Sequence, residues 1–252
     1  MNDLKHVAII MDGNLRWAKK NNFSIKNAYE NGANTAKKII LYAKKVQIQY
    51  ITLFAFSTEN WKRDNKIIEI LIDIFFSSFE EYIKNINSSF NEIKINFIGN
   101  RKDFPQKLQD QMKYIESIYI PMPKVHVKIA INYGGKEEIE QASLELLNYY
   151  LNDKNDKKDN ILLKKIDNYK KDNKNYNKFF SLKLSDIISS DQWPEPDLLI
   201  RSGGEKRLSN FMLWHIAYTE LYFCDILWPD FDEIEFDKAI AEYKKRIRKY
   251  GG

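Results

Sequence analysis

A single α/β domain with a central, mainly parallel sheet flanked by helices is the fold class this sequence predicts, from three observations. Apolar runs of strand length alternate with helical patterns along the chain. Four polar loops (DGN, STENW, NYGG, RSGGEKR) each follow such a run, where ligands bind in parallel sheets, beyond the carboxyl ends of the strands. The third is size: 252 residues, 44% hydrophobic and 14% aromatic, supply one substantial core.

Residues 7–11 (VAIIM) form the first strand, Gly13 a sharp turn, and Leu15, Trp17 and Ala18 open a helical pattern. The backbone N–H groups at that helix start face outward. They attract anions through unpaired donors and the positive end of the helix dipole, and Arg16 adds a planar donor fork suited to phosphate. Asp12 would repel a bare diphosphate, whereas a divalent ion shared by carboxylate and phosphate oxygens turns repulsion into attraction. The plainer alternative is a structural turn.

Helical residues then run towards Lys45, YITLFAF from Tyr50 reads as a buried strand, and STENWKR (57–63) forms a second loop. The helix at 67–86 carries Ile70, Leu71, Ile74, Phe75, Phe76 and Phe79, more apolar circumference than a surface helix needs. It either lines an apolar tunnel or is buried between sheet and partner. EIKINFIG is a strand ending at Gly99, 104–117 a helix, KVHVKIAINYGG a strand, and a further helix runs to about 151. Residues 152–177 are rich in Asn, Asp and Lys and read as a solvated insertion, too poor in apolar surface to offset the entropy of ordering. EPDLLI is the next strand and leads into Arg201. RSGGEKRLSNFMLW (201–214) makes a second anion cradle, with Arg201 and Arg207 forking onto phosphate and Ser209 and Asn210 at a predicted helix start. Glu220, on the strand within AYTELYF, is paired, capping or holding a metal.

Forty basic against 35 acidic residues leave a net charge of +5 with both signs plentiful, so nucleic acid is not an expected partner. Cys224, the one cysteine, excludes intrachain disulfides and cysteine-cluster metals and reads as core filler. The first strand begins almost at once, which leaves no room for a leader, and no apolar run approaches the roughly 20 residues of a membrane span. A soluble protein is expected, cytoplasmic or peripheral to a membrane.

HVAIIMDGNLRWAKK, FAFSTENWKR, INYGG, LLIRSGGEKRLSNFMLW and AYTELYFCDILWPDF resemble the successive signature blocks of the cis-prenyltransferases, the undecaprenyl and dehydrodolichyl diphosphate synthase group. They stand in that family's order over residues 6–252, apart from the insertion. The resemblance implies a parallel α/β fold with a hydrophobic tunnel, working as a homodimer. It also implies magnesium-dependent addition of isopentenyl diphosphate units to an allylic diphosphate, such as farnesyl diphosphate, with cis geometry and no organic cofactor. By position, Asp12 matches the aspartate that handles magnesium and assists loss of the allylic diphosphate. Gly13, Asn14, Arg16 and Arg63 match positions around that diphosphate, and Leu15 and Trp17 belong to the same substrate-binding motif. Ser57, Asn60 and Trp61 match the loop that orients the isopentenyl unit while its proton is removed. Arg201, Arg207 and Ser209 match the isopentenyl diphosphate site, Glu220 the second magnesium carboxylate, and Gly251 the terminal glycine that reaches the partner's isopentenyl site.

The sequence departs from the family pattern in places. Leu15 replaces a glycine, so its contact with phosphate should come from the backbone. Ile25, Ala28 and Tyr29 stand where a basic residue and the Gly-His of a GHxxG segment are usual, with Lys26, the next residue, the candidate to replace the missing charge. Lys206 replaces a frequent histidine, and the chain ends Lys249-Tyr250-Gly251-Gly252 where RxG is common. Asp12 marks the catalytic kind of chain, although the family also includes heteromeric enzymes with a second subunit. Small Ala55 beside the predicted tunnel implies a medium to long polyprenyl diphosphate. Two other classes compete: a non-catalytic partner or lipid receptor, which should lack Asp12, Arg201 and Arg207, and a nucleotide-dependent phosphotransferase, for which no GxxxxGK[ST] or GxGxxG loop is present.

Overall fold

A computed structural model describes residues 4–152, 184–188 and 193–246. In chain order these form β1 (His6–Ile10), α1 (Asn14–Asn21), α2 (Ile25–Lys45), β2 (Tyr50–Ser57), a 3-10 turn (Thr58–Lys62), α3 (Asn65–Lys84), β3 (Ile93–Ile98), α4 (Gln106–Ser117), β4 (Val125–Tyr133), α5 (Gly135–Asn152), α6 (Leu184–Ile188), β5 (Leu198–Arg201), β6 (Glu220–Phe223), a second 3-10 turn (Trp228–Asp230) and α7 (Glu233–Lys245). The expected elements are present with small shifts at their ends, except the helix expected from 209. Ser209, Asn210 and Met212 there adopt left-handed backbone (φ 49, 63 and 47), and the chain runs through successive turns to β6.

All six strands form one sheet in the order β3-β4-β2-β1-β5-β6, and every neighbouring pair is parallel. The chain divides into two compact units, residues 1–134 with 194–252, and residues 135–193. The first holds the whole sheet; in the second, α5 and α6 pack on each other. Apart from its first residue, the predicted insertion at 152–177 lies outside the described residues.

The period-two alternation of the strands splits their side chains between two buried clusters. Val7, Ile9, Ile51, Leu53, Ile93 and Ile200 join the inner faces of α2, α3, α4 and α7 in the larger one. Ala8, Ile10, Ala130 and Leu199 meet Phe211, Met212 and Ile216 on the opposite face. Cys224 is buried, as a filler should be. Side-chain caps begin α2 and α3: Ser24 Oγ accepts from Asn27 N–H (3.1 Å) and Asp64 Oδ1 from Lys66 N–H (2.8 Å).

The alternation breaks after Ala55, at Phe56. Phe54 pairs with Ala130 and Phe56 with Ile131, so β2 carries an extra residue there and bulges, and the pairing of Ser57 with Tyr133 restores the register. Ala55 and Phe56 consequently both pack on the helix-covered side, while Phe54 lies in the opposite cluster.

Candidate active site

β1 lies between β2 on one side and β5 on the other, so the sheet changes direction there and opens a crevice beyond the strands' carboxyl ends. Ile10 pairs with Arg201 in register, which brings Asp12, just past β1, against the end of β5. Arg201 is almost fully buried, its side chain 4% exposed. It donates Nη2–H to Asp12 Oδ2 (2.9 Å) and Nη1–H to Ser209 Oγ (2.8 Å) and to the carbonyl of Arg207. Its Nε–H is buried with no acceptor among the described residues. Asp12 Oδ1 also faces Arg16 Nη2 at 3.2 Å. Ser202 clamps the Asp12 backbone, accepting from its N–H (3.0 Å) and donating to its C=O (2.9 Å), and Trp228 N–H donates to the same carbonyl (2.9 Å). The carboxylate is therefore fixed from both its backbone and its side chain.

The helix-start prediction is met in geometry. Gly13 is the N-cap of α1 at φ 111, where a Cβ would come within 2.9 Å of Leu227 Cδ2. No side chain caps the helix, and the N–H groups of Gly13, Asn14, Leu15 and Arg16 have no acceptor among the described residues. Those donors and Arg16 form a first anion cradle. Gly203 (φ 85) lets the second cradle touch it, since a Cβ there would lie 2.7 Å from Arg16 Nη2.

At the end of β2, Ser57 and Asn60 form a capping box, each side chain accepting from the other's backbone, and this orders the 57–63 loop. Arg63 beyond it donates Nη1–H to the Tyr29 hydroxyl at 2.8 Å. Burial pushes the Tyr29 phenol up from its usual value; Arg63 opposes that and Asp12 adds to it. Tyr29 therefore keeps its proton and accepts from Arg63 through a lone pair. Tyr29→Phe should free Arg63 and raise the KM for a diphosphate bound at the first cradle by about tenfold, the loss of a charge-assisted hydrogen bond, with a smaller change in kcat. Steady-state kinetics on the purified variant check this.

Both cradles open into a cavity of about 730 Å³. Asp12, Arg63, Arg201 and Arg207 mark its polar end. Its apolar length runs between α2 and α3 and over the sheet, past Ala33, Ala55, Leu71, Phe75 and Ile129 to Tyr82, Phe90 and Ile93. Leu71, Ile74, Phe75 and Phe79 line the cavity, as the tunnel alternative expected, while Ile70, Phe76 and Ile83 pack against the chain's own core.

Gly13, Asn14, Leu15, Arg16, Ser57, Asn60, Arg63, Arg207 and Ser209 all line this cavity with Asp12 and Arg201. Four expectations are corrected. Trp17 faces away: its Nε1–H donates to Asp230 Oδ1 (2.6 Å) and its ring stacks on Phe23. Trp61 donates to Asn132 Oδ1 (2.8 Å) and packs on Phe56 and Phe104, supporting the loop from behind. Glu220 pairs in register with Leu198, at the start of β5, three positions and so roughly 10 Å along the strands from Arg201. There it accepts from Arg246 Nη1 (2.8 Å), so one chain does not bring it to an ion at Asp12. Lys26 is exposed, pairs with Glu30 and does not replace the missing charge. Gly251 lies outside the described residues.

Some site residues escaped the sequence reading. Glu205 joins the cradles, facing Arg207 Nη1 at 2.5 Å and Arg16 Nη1 at 3.7 Å. Glu59 ties the 57–63 loop to the second cradle by accepting from Asn210 Nδ2 (3.1 Å). Their place within the polar blocks was the available signal. Lys37, ion-paired with Glu81 at 2.5 Å across α2 and α3, gave none.

A family model described as "Putative undecaprenyl diphosphate synthase" matches residues 10–251. The chain belongs to the cis-prenyltransferase family. This cis-prenyltransferase is accordingly an enzyme, a transferase of the EC 2.5.1 class whose chemistry is cis-polyprenyl diphosphate synthesis. It is 40% identical over 250 residues to an isoprenyl transferase of Fusobacterium nucleatum, covering 98% of this chain and 96% of that one. It is 37% identical over 248 residues to a ditrans,polycis-undecaprenyl-diphosphate synthase, (2E,6E)-farnesyl-diphosphate specific, of Haemophilus influenzae, covering 98% and 95%. Its fold is similar to a lavandulyl diphosphate synthase from Lavandula x intermedia in complex with dimethylallyl diphosphate, with TM-score 0.79, 29% identity and 98% of each chain covered. It is also similar to a probable undecaprenyl diphosphate synthase from Campylobacter jejuni, with TM-score 0.73, 26% identity and full coverage of both. The expected fold and family are borne out.

Proposed function

We propose that this cis-prenyltransferase condenses isopentenyl diphosphate units in sequence onto farnesyl diphosphate, giving a medium-to-long polyprenyl diphosphate that serves as a dolichol or undecaprenol-type lipid precursor. The observation that carries the reading is two adjoining anion cradles, joined through Asp12 and Arg201, at the mouth of one long apolar cavity.

The allylic diphosphate rests on the open N–H groups of α1, on Arg16 and on Arg63, with its hydrocarbon in the cavity. The isopentenyl diphosphate rests on Arg201, Arg207 and Ser209, and Ser57 and Asn60 orient its alkene. The allylic carbon–oxygen bond breaks with its electron pair leaving on the diphosphate. A carbon–carbon bond forms to the alkene terminus, and the proton released passes to the departing diphosphate. Arginines and backbone donors stabilise the growing negative charge, and the apolar walls shelter the cation from water. Among the described residues no three His, Cys, Asp or Glu side chains cluster as a metal cage. That donor set fits magnesium, which favours one carboxylate with phosphate oxygens and waters. Asp12 would hold it, and it would supply charge neutralisation to the leaving diphosphate.

We propose one functional domain, since the family match runs through both compact units, and a homodimer built on the edge of β6. That strand is half-buried along its length and lies beside Tyr218, 81% exposed, so a second copy of this chain would cover it. A heteromeric partner subunit is the competing arrangement. No helix among the described residues is long and apolar enough to cross a membrane. We propose that the enzyme is cytoplasmic or peripheral to a membrane, meeting bilayers through its lipid product.

Incubating the chain with farnesyl diphosphate, labelled isopentenyl diphosphate and magnesium should give a lipid ladder. No incorporation by folded protein would overturn the self-sufficient reading. Ala55→Leu, whose side chain would enter the cavity at the bulge, should shorten that ladder by several units. An unchanged length distribution on the same chromatogram would remove the tunnel from that position.

A further inference from the structure

Tyr119 (84% exposed) and Met122 (91% exposed) are the two most exposed large apolar side chains among the described residues. They share one seven-residue connection between α4 and β4, residues 118–124, IYIPMPK. That connection is held stiffly. Pro121 and Pro123 fix its backbone, Met122 is kept at φ 51, and Lys94 Nζ donates to the carbonyls of Glu116 and Ile118 at 2.7 Å each. Rigid display of apolar side chains to water has no benefit for packing and suits an apolar partner.

The place in the fold says which partner. Lys124 and Val125 N–H both donate to Glu92 C=O (2.8 and 3.2 Å), and Val125 pairs in register with Ile93. Ile93, with Tyr82 and Phe90, lines the end of the cavity farthest from Asp12. The tip therefore projects beside the apolar end of the tunnel, at the opposite end of the sheet from the chemistry. Its base is positive. Glu92 lies between Lys44 (3.4 Å) and Lys124 (2.6 Å), Glu116 is taken up by Arg101 (2.6 Å), Lys94 adds further charge, and exposed Lys113 faces Asp110 at 3.9 Å. Tyrosine and methionine above a ring of lysines match the boundary between anionic headgroups and acyl chains.

We propose that residues 119–123 dock this chain on an anionic bilayer surface, with Tyr119 and Met122 entering the headgroup region beside the apolar end of the cavity. This rests on reading the cavity as the tunnel for a polyprenyl chain, and it names where that lipid's enzyme meets the membrane. The intact chain should co-sediment with vesicles of equal parts phosphatidylcholine and phosphatidylglycerol, and less with phosphatidylcholine alone. Tyr119→Ser with Met122→Ser should weaken that binding by about tenfold, since affinity follows the apolar area buried. Lys113→Gln with Lys124→Gln should remove the preference for anionic vesicles. All four positions are exposed and outside the catalytic machinery, so in detergent both variants should make the wild-type ladder. Equal vesicle binding by wild type and the Tyr119/Met122 variant overturns the proposal. So does absence of wild-type binding, or a change of oligomeric state in that variant, which would make the tip a protein contact. Loss of the ladder in the wild type itself would tell against the enzymatic reading and leave the vesicle result standing.

Discussion

Asp12→Ala should lower incorporation of labelled isopentenyl diphosphate by about a thousandfold at saturating magnesium, the scale expected when a group that manages charge in the transition state is removed. The carboxylate is the meeting point of both cradles, 2.9 Å from Arg201 and 3.2 Å from Arg16. Without it the two guanidiniums repel each other, and the carboxylate between the cradles that would share an ion with the allylic diphosphate is gone. The substitution also leaves Arg201 buried with its partner lost, which costs about 3 kcal/mol of stability. Activity must therefore be compared at a temperature where circular dichroism shows the variant folded. Asp12→Asn separates the two effects: it keeps the shape and a hydrogen-bond acceptor but not the charge, and should be nearly as inactive while losing less stability. A folded Asp12→Asn enzyme with near-normal rates would refute the metal role.

Arg201→Lys should raise the KM for isopentenyl diphosphate by about a hundredfold and lower the melting temperature. An ammonium on a flexible stem cannot reproduce a planar fork that bonds Asp12, Ser209 and the Arg207 carbonyl together. Arg207→Lys provides the contrast. Its side chain is 61% exposed and among the described residues bonds only Glu205, so it should weaken isopentenyl diphosphate binding by about tenfold with no change in stability. Initial rates against isopentenyl diphosphate, with thermal melts of both variants, read the difference. Equal effects from the two arginines would show that Arg201 does not organise the second cradle.

Both cradles were legible in the sequence because each is local: a strand, a turn and the next few residues carry the donors, and periodicity locates the strand. The sheet order and the pairing of Asp12 with Arg201 were less so, since they depend on β5 returning beside β1. Trp17 and Trp61 stand within polar motifs, but helix and turn geometry aims them at the core, an orientation that spacing alone did not reveal. Glu220 was correctly placed on a strand, yet its distance from Asp12 depends on register, which needs the partner strand. The helix expected after Ser209 failed for a local reason. Left-handed backbone at 209, 210 and 212 replaces it, and the Ser209 hydroxyl turns to Arg201 instead of capping. The bulge at Ala55 is invisible from one strand, because a bulge is a mismatch between two.

The Asp12–Arg201 contact joins residues 189 positions apart, and chains emerge from the ribosome amino terminus first. The first cradle, the bulged strand and both helical walls of the cavity are therefore synthesised long before the second cradle. A chain synthesised only that far carries the residues of the first cradle but none of Arg201, Arg207 or Ser209. The two cradles meet only when the fifth strand docks beside the first, so the order of synthesis puts the second cradle among the last parts of the pocket to form.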